Sequence, residues 1–72
     1  MRFSDYVTRE LQTAREKHPE PIHSKHEGFA VLLEEVDEVK QEVFHGKGTT
    51  ELLMELIQVG AMAQRMAEDL EL

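Results

Sequence analysis

The sequence has no cysteine and no tryptophan, and only two prolines and four glycines among its 72 residues. Without cysteine, neither a disulfide nor a thiolate zinc site can hold the fold together. No stretch reaches the roughly eighteen consecutive apolar residues that a membrane-spanning helix needs, and the N-terminus lacks the apolar segment of a signal peptide. We therefore expect a cytoplasmic protein with no membrane partner.

Basic residues are also scarce, with eight lysines and arginines against fifteen acidic residues and a net charge of -7. Such a surface repels the phosphate backbone, so we expect no nucleic-acid partner and disfavour a DNA-associated regulator. A substrate that carries phosphate stays compatible with this charge when a divalent ion bridges the two, because the ion reverses the local sign.

The short chain limits the protein to a single domain, residues 1–72. Ordering such a chain costs on the order of 100 kcal/mol at roughly 1.5 kcal/mol per residue, and apolar burial in a core this small about matches that cost. Burial against further copies is the remaining source of stability, so we expect a homodimer or homotetramer.

Apolar residues recur at spacings of three and four, which predicts three helices and an all-α fold class. The first helix runs from about Ser4, its predicted N-cap, to Lys17, and an extended linker follows it over residues 19–23. The second runs from Lys25 to His45, with Ser24 and Glu27 at capping-box spacing and Gly46 in a left-handed C-terminal conformation. The third runs from about Glu51 to Leu70, capped by Thr49 or Thr50.

Only a few residues join the second and third helices, so we expect them to form a long antiparallel hairpin. On the second helix, one apolar stripe is predicted to face the core, formed by Phe29, Leu32, Leu33, Val36, Val39 and Val43. The apolar face of the third helix is broad enough to contact more than one helix. Its small residues Gly60, Ala61 and Ala63 would allow close packing.

The acidic side chains of the hairpin are placed beside its apolar stripes. Glu35 and Glu38 are three residues apart and so share a helix face, which Glu42 extends. In an antiparallel hairpin, Glu55 and Gln58 of the third helix can face them across one groove. Converging carboxylate oxygens suit Mg²⁺ or Mn²⁺. The alternative, a row of solvated acids on a helix face, stays open because this spacing is common in acidic helices.

These residues resemble the MazG-like, all-α nucleoside triphosphate pyrophosphohydrolases. Residues 33–39, LEEVDEV, are similar to the family's Glu-Glu-x-x-Glu signature, and residues 55–58, ELIQ, stand where the family carries Glu-x-x-Asp. The resemblance covers residues 26–70 and includes the helix, short loop and helix around the acids. Residues 26–35, HEGFAVLLEE, look like the small phage and mobile-element members.

The resemblance implies a Mg²⁺-dependent hydrolase that converts nucleoside triphosphates to monophosphates and pyrophosphate, with a house-cleaning role. It also implies dimers or tetramers in which paired subunits form four-helix bundles. Glu35, Glu38 and Glu55 would ligate the metal, and Gln58 would occupy the position of the family's fourth acid.

Further roles follow if the chain is such an enzyme. Glu38 would be essential for catalysis, and Glu34 would orient the attacking water. Phosphate contacts would come from Arg65 or Lys25, with Lys40 and Lys47 as further candidates. Arg65 has an alternative interpretation as an exposed partner of Glu68 or Asp69.

Gln58 departs from the family pattern, because an amide oxygen brings no negative charge to a metal site. The competing hypothesis is therefore a non-catalytic helical oligomerisation or interaction module derived from the same fold. The sequence favours neither a nucleotide nor a number of metal ions.

Overall fold

The computed structural model describes residues 1–46 and 48–72, and these form three helices. They are α1 (Phe3–Lys17), α2 (Lys25–His45) and α3 (Thr49–Asp69). The all-α prediction is confirmed, and no strand occurs in the described part of the chain. Lys47, one of the candidate phosphate contacts, lies outside the described residues.

Helices α2 and α3 form the predicted antiparallel hairpin. Near one end, a Cβ atom at Gly28 would lie only 2.8 Å from Cγ of Met66. Near the middle, Glu38 of α2 meets Glu55 of α3. Residue numbers thus fall along one helix as they rise along the other, and the absence of a side chain at Gly28 lets the two helices approach.

Helix α1 packs against α3 and runs parallel to it. A Cβ atom at Gly60 would lie 2.9 Å from Cγ2 of Val7, while further along α3 the side chain of Arg65 reaches the carbonyl of Ala14. The small core between them contains Val7, Leu11 and Ala61. Helix α3 is therefore the central element, contacting α1 on one side and α2 on another.

A buried arginine ties the end of α1 to α3. The guanidinium of Arg65 donates to the backbone carbonyls of Ala14, His18 and Glu20 and to the carboxylate of Asp69. Asp69 in turn accepts hydrogen bonds from the Ile22 backbone N–H and from Arg15. This polar clamp fixes the linker between α1 and α2 against the last turns of α3.

The predicted helix boundaries are nearly right, but three of the predicted caps are wrong. The Ser24 hydroxyl accepts a hydrogen bond from the Glu27 N–H at 3.1 Å, as the capping-box spacing predicts. Ser4 lies within α1 instead of capping it. The carboxylate of Asp5 accepts the N–H of Arg2, so the helix begins earlier in the chain than predicted, at Phe3. Gly48 precedes α3 without a side-chain cap, so neither threonine has the predicted role.

Gly46 does end α2, but its backbone is extended (φ -74°) and not left-handed. A Cβ atom there would collide with the backbone carbonyl of Glu42, so glycine is favoured by close contact and not by its φ angle.

The apolar stripe predicted on α2 divides into two faces. Leu32 and Val39 are half-buried, whereas the other four members are exposed: Phe29, Leu33, Val36 and Val43. On α3, Leu53 and Leu56 are also more than 40% exposed. A single copy of the chain therefore leaves much of its apolar surface uncovered. Among the described residues, no helix combines the length and apolar character of a membrane span.

Candidate metal site and adjoining cleft

Three carboxylates converge in the middle of the hairpin. Glu35, Glu38 and Glu55 each offer one oxygen, and these three oxygens all lie within 4.8 Å of one another. We call these residues the acidic cluster. Two of its members come from α2 at helical spacing and the third from the facing turn of α3, as predicted from the sequence. Glu35 and Glu55 are half-buried, whereas Glu38 is exposed.

The cluster changes the acidity of its members. Sharing a proton with Glu38 raises the pKa of Glu55 to about 7, helped by burial and by the charges of Glu35 and Glu42. Burial also raises the pKa of Glu35, and Glu38 adds to this shift. The causes are those expected when like charges are held together in a partly desolvated place. When all three carboxylates are ionised, their mutual repulsion destabilises the folded protein.

One oxygen of the cluster has no partner. Oε2 of Glu55 is inaccessible to solvent and accepts no hydrogen bond from the described residues. A buried carboxylate oxygen without a donor is costly. A proton or a cation held between the carboxylates can satisfy it, and divalent ions such as Mg²⁺ prefer carboxylate oxygens. The donor set therefore fits a hard divalent cation.

A cleft of about 380 Å³ adjoins the cluster. It lies between α1 and α2, with α3 as its floor, and its size is in the range of small-molecule sites. Glu35 belongs to both the cleft and the acidic cluster, and Gln58, predicted as a fourth ligand, lines the cleft. Its other lining residues are Glu10, Ala14, Lys17, His18, Val31, Ala61, Met62 and Arg65.

The two predicted substrate contacts lie in different places. Arg65 lines the cleft, but it is 7% exposed and its guanidinium already makes four hydrogen bonds. Since a guanidinium has five N–H groups, only one is left for a phosphate. The alternative interpretation of Arg65 is right in naming Asp69 as its partner and wrong in expecting exposure. Lys25 is exposed at the first turn of α2 and does not line the cleft.

Glu34 is exposed and lies apart from the cleft. It lines a groove on the outer face of α2 together with Ala30, Leu33, Val36, Asp37 and Lys40, and this groove shares no residue with the cleft. Its charge still contributes to the raised pKa of Glu35. Orientation of a water by Glu34 stays a prediction.

Sequence reasoning missed two charged residues of the cleft, Glu10 and Lys17. Both lie on α1, and together with Ala14 they follow the i, i+4, i+7 spacing of one helix face. That spacing is visible in the sequence. The sequence does not show that this face of α1 lies beside the carboxylates of α2, because that placement depends on how α1 packs against α3.

Comparison with known proteins gives no relative: no protein-family model, curated protein or solved structure matches this chain.

Proposed function

We propose that this protein is a Mg²⁺-dependent nucleoside triphosphate pyrophosphohydrolase, with Mn²⁺ as a substitute metal. The observation that carries the proposal is the acidic cluster, in which Oε2 of Glu55 is buried without a donor beside two further carboxylates. The sequence resemblance supports the same reaction, since the clustered residues are those that match the family's acidic motifs.

In this proposal Glu35, Glu38 and Glu55 hold the metal. When bound, the ion would neutralise charge on the phosphates and lower the pKa of a bound water. Three carboxylates are strongly repulsive towards a triphosphate without such an ion. The cleft would take the remainder of the nucleotide, and Lys17 of α1 would bring a positive charge to its wall. Glu34, which lies outside the cluster, would orient the attacking water.

The test is pyrophosphate release from a panel of nucleoside triphosphates with Mg²⁺ or Mn²⁺. We expect turnover that Glu38→Gln abolishes, because this substitution removes a metal ligand. The variant should fold at least as well as the parent in the absence of metal, since it relieves repulsion within the cluster. Asp37→Asn, an equivalent loss of charge on the exposed side of α2, should retain activity. Absence of turnover on every nucleotide by a folded sample would refute the proposal.

The second candidate is a non-catalytic helical oligomerisation module. The observation in its favour is the exposed apolar surface of α2 and α3. The two candidates differ in a thermal melt. Mg²⁺ at 100 times its Kd should stabilise a metal-binding protein by about 2.7 kcal/mol, whereas the melting temperature of a simple oligomerisation module should ignore Mg²⁺.

Assembly itself is common to both candidates. We propose that copies of the chain pair through the exposed apolar surface into a homodimer or homotetramer with four-helix-bundle cores, and that the protein acts in the cytoplasm.

A further inference from the structure

The cleft beside the acidic cluster continues into a smaller cavity. This cavity, of about 210 Å³, shares four lining residues with the cleft and adds Ile22 from the linker. We call it the recess, lined by His18, Ile22, Val31, Met62 and Arg65. Ile22 is buried, and its N–H is held by the carboxylate of Asp69 at 2.9 Å. The polar clamp therefore builds one wall of the recess.

The recess lies within reach of a ligand bound at the cluster. From Gln58 to Arg65 the floor of the cleft spans seven residues of α3, or about 10 Å at 1.5 Å per residue. The carboxylates lie at one end of this path and the apolar side chains of Ile22, Val31 and Met62 at the other. A molecule with a charged, metal-binding end and an uncharged flat end matches that distribution.

We propose that the recess binds the nucleobase of the nucleotide whose phosphates lie at the acidic cluster. This inference rests on the proposed function and specifies how its substrate is held. Three of the five walls are apolar, and the guanidinium of Arg65 is already engaged by backbone carbonyls and Asp69. The recess thus holds the base by apolar contact and stacking with His18. Arg65 has a single N–H left over, which is too few to distinguish one base edge from another. All four common bases should bind similarly.

The test uses nucleoside monophosphates with Mg²⁺, because the ion offsets the repulsion between the phosphate and the acidic cluster. A monophosphate is a product of the proposed reaction, so no turnover is involved. Calorimetry with AMP, GMP, CMP and UMP should give dissociation constants within about fivefold of one another. Because stacking of a base on a side chain contributes roughly 1–3 kcal/mol, each should bind at least about tenfold more tightly than ribose 5-phosphate. Equal binding of ribose 5-phosphate, or strong preference for one base, would overturn the proposal.

A matched pair of variants locates the binding. Val31→Phe places a larger side chain in the recess and should weaken monophosphate binding by about tenfold. Val43→Phe makes the same change at an exposed position of α2 outside both cavities and should leave binding within about twofold of the parent. Circular dichroism establishes that both variants fold. Equal effects of the two substitutions would contradict the proposal.

The two proposals fail in different ways. Monophosphate binding that Val31→Phe weakens, without pyrophosphate release from any triphosphate, would leave the recess as a base site and refute the hydrolase. Pyrophosphate release with a KM that Val31→Phe does not change would support the hydrolase and refute the recess as the base site.

Discussion

At the scale of single residues, the carboxylates of the acidic cluster determine how the metal-free protein responds to pH. The pKa of Glu55 is raised to about 7, above the ordinary value near 4.5 that it regains on unfolding. The folded state therefore binds more protons than the unfolded state between these two values, so its stability falls as pH rises through that window. Carboxylates in ordinary ion pairs behave in the opposite way.

We predict that raising the pH from 4.5 to 7.5 in EDTA destabilises the protein through Glu55. A shift of this size corresponds to about 3 kcal/mol for a fully buried group, and solvent screening at this partly exposed site reduces it to about 1 kcal/mol. Urea unfolding at several pH values measures the effect. Glu38→Gln should flatten the dependence, whereas Asp37→Asn should preserve it. A pH dependence identical in both variants would place its origin elsewhere.

Gln58 provides a second test at this scale, because it lines the cleft together with Glu35 and adds no charge. We predict that Gln58→Glu tightens Mg²⁺ binding by about tenfold, since hard cations favour charged oxygens, and lowers stability in EDTA through repulsion by Glu35. Calorimetric titration with Mg²⁺ measures the first effect. Gln12→Glu, at an exposed position of α1, is the control. If both substitutions change the affinity alike, Gln58 is not near the ion.

At the scale of helices, the polar clamp stabilises the packing of the C-terminal end of α1 against α3. Burial alone would raise the pKa of Asp69, but the N–H of Ile22 and the guanidinium of Arg15 hold it below its usual range. The clamp therefore keeps its charge down to low pH. It holds the linker and thus the walls of both the cleft and the recess.

We predict that Arg65→Met destabilises the protein by about 3 kcal/mol, because it removes a buried side chain that donates to three backbone carbonyls and neutralises part of the charge of Asp69. Arg15→Met removes a more exposed arginine from the same carboxylate and should cost less than about 1 kcal/mol. Urea unfolding compares the two, and hydrogen exchange should show early opening of α1 in the Arg65 variant. Equal costs would mean that burial of Arg65 is unimportant.

The sequence predicted the helices better than it predicted their surroundings. Ser24 and the glycines around residue 47 determine the limits of α2 locally, so its predicted ends agree with the structure. The start of α1 was misplaced because Asp5, the third residue of the helix, accepts the N–H of Arg2 and thereby makes Arg2 the N-cap in place of Ser4. Burial of Arg65 was missed because its partners are backbone carbonyls, which every residue has and no sequence pattern marks.

The acidic cluster was predictable because short-range features of the sequence determine which carboxylates meet. Two of its members are related by helical spacing and the third by the register of a hairpin with a short connection. The cleft depends instead on α1 lying parallel to α3, and nothing local in the sequence determines that direction.

At the scale of the whole molecule, several large apolar side chains of α2 and α3 are exposed. Val43 is 59% exposed and Phe44 is 71% exposed, and exposed apolar patches mark sites of association. The groove on the outer face of α2, of about 460 Å³, includes two further exposed apolar side chains, Leu33 and Val36.

We predict that Leu33→Glu converts the proposed oligomer to a monomer. Burial of a leucine contributes roughly 1.5–3 kcal/mol, and a buried unpaired charge adds to the loss, so the dissociation constant should rise by at least about 100-fold. Analytical ultracentrifugation measures the mass. Thr13→Glu on the exposed side of α1 should leave the mass unchanged. A parent protein that is already monomeric at high concentration would refute the proposed assembly.

The parallel course of α1 and α3 has an electrostatic consequence for the molecule. Their C-terminal ends lie side by side, so the partial negative ends of two helix dipoles coincide. Helix α3 has no basic residue in its own last turn, and Arg15 and Arg65 bring the compensating positive charge to this place. Two of the few basic side chains in this acidic protein therefore lie where the partial negative charges of two helix ends come together.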